Sequence, residues 1–296
     1  MDTKPKLVVI LGPTSSGKTS LSVKLAKKFN GEIVSADSRQ VYRGLDLSSG
    51  KVTQKEMQNI PHYLLDVADP KKVYTVAHFK KDAATALGKI YAKNKLPILI
   101  GGTGFYIDAV TQDTVLPKVK PDLKLREKLE KKTAQQLFAL LKKLDPQRSA
   151  TIDSQNKRRL VRALEIVQAL GKVPKLQEKN SKFDLLYLGV SRSKEELKRR
   201  IHDRLQERIS QGMIEEIAKL HQQKVSWQRL EDLGLECRYI ARFLQNKITL
   251  EEMLDELERA TWRYAKRQET WFKRNQETRW VKNYQKAEKL IKKFLL

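Results

Sequence analysis

Lys6-Leu7-Val8-Val9-Ile10-Leu11, followed at once by Gly12-Pro13-Thr14-Ser15-Ser16-Gly17-Lys18-Thr19, decides the fold. The first six residues are an apolar, β-branched run of strand length. The next eight fit G-x-x-x-x-G-K-[ST], and Leu21, Val23, Leu25, Ala26 and Phe29 then recur at helical spacing. Strand, Gly-rich loop and helix in this order make a phosphate cradle. The glycines let backbone N–H groups wrap a diphosphate at a helix N-terminus. Lys18 adds a cation, and the Thr19 hydroxyl suits a Mg2+ shell. The loop specifies a bound diphosphate or triphosphate with magnesium, as in nucleotide-binding proteins, and is silent on the reaction.

Outward from the loop, Glu32-Ile33-Val34-Ser35 is a second short strand ending at Asp37. Pro97-Ile98-Leu99-Ile100 is a third, ending at Gly101-Gly102-Thr103-Gly104, and Leu185-Leu186-Tyr187-Leu188-Gly189-Val190 is a later one. Strands alternating with helices predict an α/β fold, a P-loop NTPase-like parallel sheet flanked by helices. Such sheets bind ligands beyond the carboxyl ends of their strands. From about Pro117 the pattern changes. Pro117, Pro121, Pro146 and Pro174 punctuate basic, helix-favouring segments at 123–144 and 156–170. We therefore expect a catalytic core of residues 1–114 and 183–296, interrupted by a helical insert domain at 115–182.

Charge singles out the same insert. The chain of 296 residues carries 60 Lys and Arg against 35 Asp and Glu, a formal +25. Residues 115–182 hold 18 cationic and 7 acidic side chains, the densest surplus in the chain. Self-repulsion of that size favours a polyanionic partner, although a solvated basic surface would look the same by composition. The longest early apolar run, Leu7 to Leu11, is too short for a signal peptide or membrane span, so a cytoplasmic protein without membrane attachment is expected. The single cysteine, Cys237, excludes an internal disulfide and a cysteine-rich zinc module, and is expected to be an ordinary half-buried thiol.

The usual P-loop NTPase has an apolar strand ending in a magnesium-linked Asp. The strand at 97–100 ends in a glycine pair and Thr103 instead, and the nearest carboxylate is Asp37, in Asp37-Ser38-Arg39-Gln40-Val41-Tyr42-Arg43. With these residues the chain resembles the bacterial tRNA dimethylallyltransferases over nearly its whole length. The resemblance rests on the Gly12–Thr19 loop, on Asp37 to Arg43, and on Pro61-His62-x-Leu64-x-Asp66. It continues through Gly101-Gly102-Thr103-Gly104-Phe105-Tyr106 and Asp153-x-x-Asn156-x-Arg158-Arg159-Leu160-Val161-Arg162-Ala163-Leu164-Glu165, and ends in Arg263-Tyr264-Ala265-Lys266-Arg267-Gln268-x-Thr270-Trp271-Phe272.

The resemblance implies alkylation of N6 of the adenosine just 3′ of the anticodon by dimethylallyl diphosphate, with release of diphosphate. It implies Asp37 as general base, Thr103 as a residue positioning the acceptor base, and Arg204 as a contact to the diphosphate. A solvated helix face is the other reading of Arg204. Asp37, Ser38, Arg39, Gln40, Thr103, Arg126, Gln155, Asn156, Lys157, Arg158, Arg159, Arg263 and Arg267 are the expected tRNA contacts, in a monomer clasping an anticodon stem-loop. Arg259, Arg263 and Arg267 recur at i, i+4 and i+8, one cationic stripe, while Trp271 and Phe272 are expected to pack in the core. Arg39 and Arg208 stand where methionines are usual, and Gly234-Leu235-Glu236-Cys237 where Gly-Tyr-Lys-Glu is common. Two other readings survive the loop alone: a prenyltransferase acting on free AMP or ATP, and a P-loop small-molecule kinase. The basic insert argues against the first, and the Asp37 stretch against the second.

Overall fold

Side-chain alternation along Lys6–Leu11 builds both faces of a sheet. Leu7, Val9 and Leu11 pack with Phe79, Leu87, Ile90, Tyr106 and Ile107, while Val8 and Ile10 pack with Val23, Leu25, Ala26 and Ile291. All of these side chains are buried, so this strand is central and its near-continuous apolar run is explained. The computed structural model describes residues 4–115, 117–174 and 181–296. Its sheet has six strands: β1 (Lys6–Leu11), β2 (Gly31–Ser35), β3 (His62–Tyr63), β4 (Leu96–Gly101), β5 (Asp184–Val190) and β6 (Arg279–Val281). Their order is β3-β2-β4-β1-β5-β6 and every pairing is parallel.

The register places the future site. Leu11 pairs with Gly101 on one side and Gly189 on the other, and Ser35 pairs with Ile100. The segments after β1, β2, β4 and β5 therefore leave the sheet at one level. The chain departs from β1 toward β2 and β3 and returns on the other flank to β5 and β6, so the end of β1 is the switch point of the topology.

The chain divides into two compact units, Met1–Asp113 with Asn180–Leu296, and Thr114–Lys179. The first holds the sheet and a helical cluster in which Met213, Ile217, Leu230, Leu233, Ile240, Met253 and Leu257 pack on Val41, Tyr42 and Leu45. The second is built on Leu137, Leu141, Leu160, Leu164 and Val167. The expected helix at 123–144 is two helices, Leu123–Glu130 and Ala134–Leu144. Thr133 splits them: its side chain accepts the Gln136 N–H, and Gln136 reaches back to the Thr133 N–H, a capping box that starts a new helix. Cys237 is fully buried rather than half-buried, because its helix, Leu235–Leu244, turns it into the helical cluster.

Candidate active site

A cavity of about 760 Å³ opens at the carboxyl ends of the strands, entirely within the first unit. The loop after β1 forms one wall. Gly12 has φ +150°, and a Cβ there would come 2.6 Å from the Val190 carbonyl oxygen, so only glycine lets the loop leave β1 alongside β5. Gly17 has φ +92° and begins the helix Lys18–Lys28. Two arginines brace the outer rim, Arg192 Nε donating to the Ser16 carbonyl at 3.0 Å and Arg200 Nε to the Ser15 carbonyl at 2.7 Å. Pro13 supplies the carbonyl that accepts Lys18 Nζ at 2.7 Å. Thr14 and Thr19 line the cavity. Ser16 Oγ is buried without a hydrogen-bond partner among the described residues.

Lys18 lines the cavity half-buried, and desolvation lowers its ammonium to about 8; the Asp37 carboxylate opposes that shift and the Arg204 guanidinium adds to it. A diphosphate arriving in the loop would restore the charge that the fold disfavours.

Asp37 faces the loop from the end of β2. Its Oδ1 accepts the Arg39 N–H at 2.8 Å, a local turn that fixes the carboxylate. Ser38 N–H donates to Thr103 Oγ1 at 3.0 Å, tying the β2 end to the β4 end. That approach needs glycine at 101, where a Cβ would stand 2.1 Å from the Ala36 carbonyl oxygen. Gln40 is held on both ends of its amide, accepting from Ser35 Oγ at 3.1 Å and donating to the Gly50 carbonyl at 3.1 Å. Arg204 Nη2 donates to the same carbonyl at 3.2 Å. The solvated-face reading of Arg204 is thereby excluded: burial pulls its guanidinium below the usual arginine range, and it lines the cavity.

The structure separates residues that the sequence grouped. Arg267 lines the cavity, stacked over Tyr264 with 5.8 Å to the ring centroid. Arg263 is exposed and Arg259 is paired with Asp255. The reason is geometric: eight residues at 3.6 per turn drift about 80° around a helix, so Arg267, though exposed like the other two, is turned to the cavity rim. In the second unit, Arg126 is committed to an intramolecular partner, its Nε and Nη2 donating to the buried Glu165 carboxylate at 2.6 and 2.8 Å. Gln155 and Asn156 open the helix Lys157–Leu170, with Asn156 Oδ1 accepting the Arg159 N–H at 3.2 Å. Lys157 Nζ donates to the Glu130 carbonyl at 2.5 Å, whereas Arg158 and Arg159 are exposed.

Gln268, Tyr264, Glu236 and Arg208 also line the cavity and were not singled out for it by sequence. A signal existed: Leu257, Thr261, Tyr264 and Gln268 share one face of the helix Leu250–Phe272, and that face changes from apolar to polar where it meets the cavity. Arg208 and Glu236 approach to 3.9 Å. Burial brings Arg208 down to about 10, with Arg204 adding to the effect, and pushes the Glu236 carboxyl up against the opposing pull of Arg208. Cys237, next to Glu236, is pushed to about 12 by burial and is not a nucleophile.

The donor set fits a hard cation. Thr19 offers a hydroxyl oxygen at the loop, and no group of three His, Cys, Asp or Glu able to hold an ion occurs among the described residues. An ion here would take its remaining ligands from phosphate and water, as magnesium commonly does.

Fold and site together define a P-loop protein whose phosphate loop works beside a carboxylate from the second strand, with a threonine where the strand-end acid of an NTPase would stand. The IPP transferase family model matches residues 40–275, and the chain belongs to that family. It is 42% identical over 268 residues to tRNA dimethylallyltransferase 2 of Shewanella sediminis, covering 90% of this chain and 89% of the relative. The tRNA dimethylallyltransferase of Halothermothrix orenii is 38% identical over 98% of this chain and 94% of its own. Among solved structures, the full-length tRNA isopentenylpyrophosphate transferase of Bacillus halodurans is 36% identical over 99% of this chain and 96% of its own, with a TM-score of 0.74. A eukaryotic dimethylallyltransferase captured acting on tRNA is 30% identical over 90% of this chain and 69% of its own, with a TM-score of 0.76.

Proposed function

We propose that this protein transfers the dimethylallyl group of dimethylallyl diphosphate to N6 of the adenosine immediately 3′ of the tRNA anticodon. The observation that carries the reading is the opposition of the Gly12–Thr19 loop and the Asp37–Thr103 pair across one cavity, in a chain of this family. The loop takes the diphosphate, with Lys18, Arg204 and backbone N–H groups directed at the charge that grows as the allylic carbon–oxygen bond breaks. Bound magnesium, held by Thr19 and the diphosphate, would supply further neutralisation of that leaving group. The exocyclic amine of adenine is a weak nucleophile. Asp37 accepts its proton as the carbon–nitrogen bond forms, and Thr103 holds the base beside it.

The acceptor must leave the stacked anticodon loop to reach a cavity of this depth. Arg158 and Arg159 on the second unit, and Arg267 at the cavity, contribute phosphate or stacking contacts to the anticodon arm. Arg126, paired with Glu165 and part-exposed, supports the fold of its unit beside these contacts. Among the described residues no helix is long and apolar enough to cross a membrane; a cytoplasmic monomer is part of the proposal. Incubation with dimethylallyl diphosphate, magnesium and unmodified tRNA, followed by nucleoside mass analysis, tests the reading. One prenylated adenosine at the anticodon-adjacent position is expected; a product unchanged in mass would refute it.

A further inference from the structure

Gln268 is 5% exposed and sits on the cavity-facing side of the helix Leu250–Phe272. Its Oε1 accepts the Thr14 N–H at 2.8 Å, and its Nε2 donates to the Gly102 carbonyl at 2.9 Å. One carboxamide thus joins the loop after β1 to the loop after β4, across 254 and 166 residues of chain. The approach is so close that a Cβ at Gly102 would stand 2.3 Å from Nε2. The network fixes the amide's orientation, because a backbone N–H needs an acceptor and a carbonyl needs a donor.

These bonds have a place in the site. Thr14 lies in the phosphate loop between the Lys18-accepting carbonyl of Pro13 and the Arg200-accepting carbonyl of Ser15. Gly102 precedes Thr103, whose hydroxyl accepts the N–H of Ser38, the residue after Asp37. Hydrogen bonds and the short backbone links between them thus connect the phosphate loop to the loop that carries Thr103 and, through Ser38, to Asp37. We infer that Gln268 is a positioning residue for prenyl transfer, its amide setting the gap between the donor loop and the acceptor loop. This rests on the reading of the site given above. Displacements of about 1 Å between reacting groups cost roughly a hundredfold in rate. Loss of the clip should therefore fall on kcat, with the KM for each substrate changed far less.

The chemistry of the clip supplies its own test. A carboxylate at position 268 keeps the acceptor for Thr14 N–H but faces the Gly102 carbonyl with a lone pair, and repels it. A neutral carboxylic acid has one acceptor and one O–H donor, and so restores both bonds. Burial raises a carboxyl's pKa, so Gln268→Glu should regain the neutral form as pH falls through the weakly acid range. Wild type, Gln268→Glu and Gln268→Met are assayed side by side from pH 8 to pH 5.5, with tRNA and dimethylallyl diphosphate.

At pH 8, Gln268→Glu should run about a hundredfold below wild type. The ratio of the two kcat values should climb at least about tenfold toward pH 5.5, a comparison in which titrations common to both proteins cancel. Gln268→Met, of similar volume and without hydrogen bonds, should show a deficit constant with pH. A Gln268→Glu ratio as flat as that of Gln268→Met, or wild-type kcat in either variant, overturns the inference. If Gln268→Glu does not fold at pH 8, Gln268→Met decides alone, with lowered kcat and unchanged donor affinity supporting the clip and wild-type kcat rejecting it. Absence of transfer by wild type would instead refute the assigned reaction.

Discussion

Asp37 and Lys18 face the same cavity with opposite charges and separate tasks. Asp37, fixed through Oδ1 by the Arg39 N–H, is the proposed base for the incoming amine. Asp37→Asn keeps the turn but removes the proton acceptor, so single-turnover rates should fall by about two to four orders of magnitude while tRNA affinity is unchanged. A loss below about tenfold would exclude this role. Lys18 is the proposed cation for the donor, and burial lowers its ammonium to about 8. Its charged form binds a diphosphate, which in turn favours that form. Donor affinity should therefore be level at pH 7 and weaken as pH rises through about 8. The donor's own phosphate titration lies near 6 and stays out of that window. Lys18→Arg, which holds its proton throughout, should lose the break; calorimetric titration of the donor without tRNA reads it. An affinity independent of pH between 7 and 9.5 in wild type would contradict the lowered ammonium.

The elements divide into those that local pattern specifies and those that tertiary contacts create. β1, β2, β4 and β5 were legible as apolar runs ending in Gly-rich or acidic loops. β3 and β6 were not: two and three residues are too few for periodicity, and β6 exists because Trp280 and Val281 pair with Gly189 and Val190. The phosphate loop and Asp37 were legible because their chemistry sits in consecutive residues. Gln268, Arg192 and Arg200 were not, since each acts on backbone 166 to 254 residues away. The intramolecular partners of Arg126 were not legible either: no spacing reveals that Glu165 collects Arg126, Arg162 and the Asp122 N–H. Burial alone would raise the Glu165 carboxyl, but those three partners outweigh it and hold it below the ordinary 4.5. Its stabilisation is therefore complete above about pH 4.5 and is lost as pH falls through the lowered native value. Glu165→Gln should destabilise residues 123–170 by about 2 kcal/mol at pH 7, read by hydrogen exchange in the full chain. The difference from wild type should shrink in acid. Unchanged exchange at pH 7 would show that the pair contributes nothing.

At the scale of the molecule, a formal +25 is distributed so that a separate, densely basic unit accompanies a core with the proposed diphosphate site. Anticodon-arm binding should weaken steeply with salt, because every phosphate contact releases condensed counterions. Replacing Arg158 and Arg159 with alanine should lower the slope of log affinity against log salt by about 1 to 2, leaving donor binding intact. An unchanged slope would remove these two arginines from the interface. The account stands most directly on the identity of the acceptor. A single competition measures it: dimethylallyl diphosphate, magnesium, an unmodified anticodon stem-loop and AMP at equal concentration, with both products quantified by mass at moderate salt. Prenylation of the stem-loop at the adenosine 3′ of the anticodon, with AMP essentially untouched, is the expected result. Prenylated AMP as the main product, formed at a rate indifferent to salt and to the loss of Arg158 and Arg159, would contradict it.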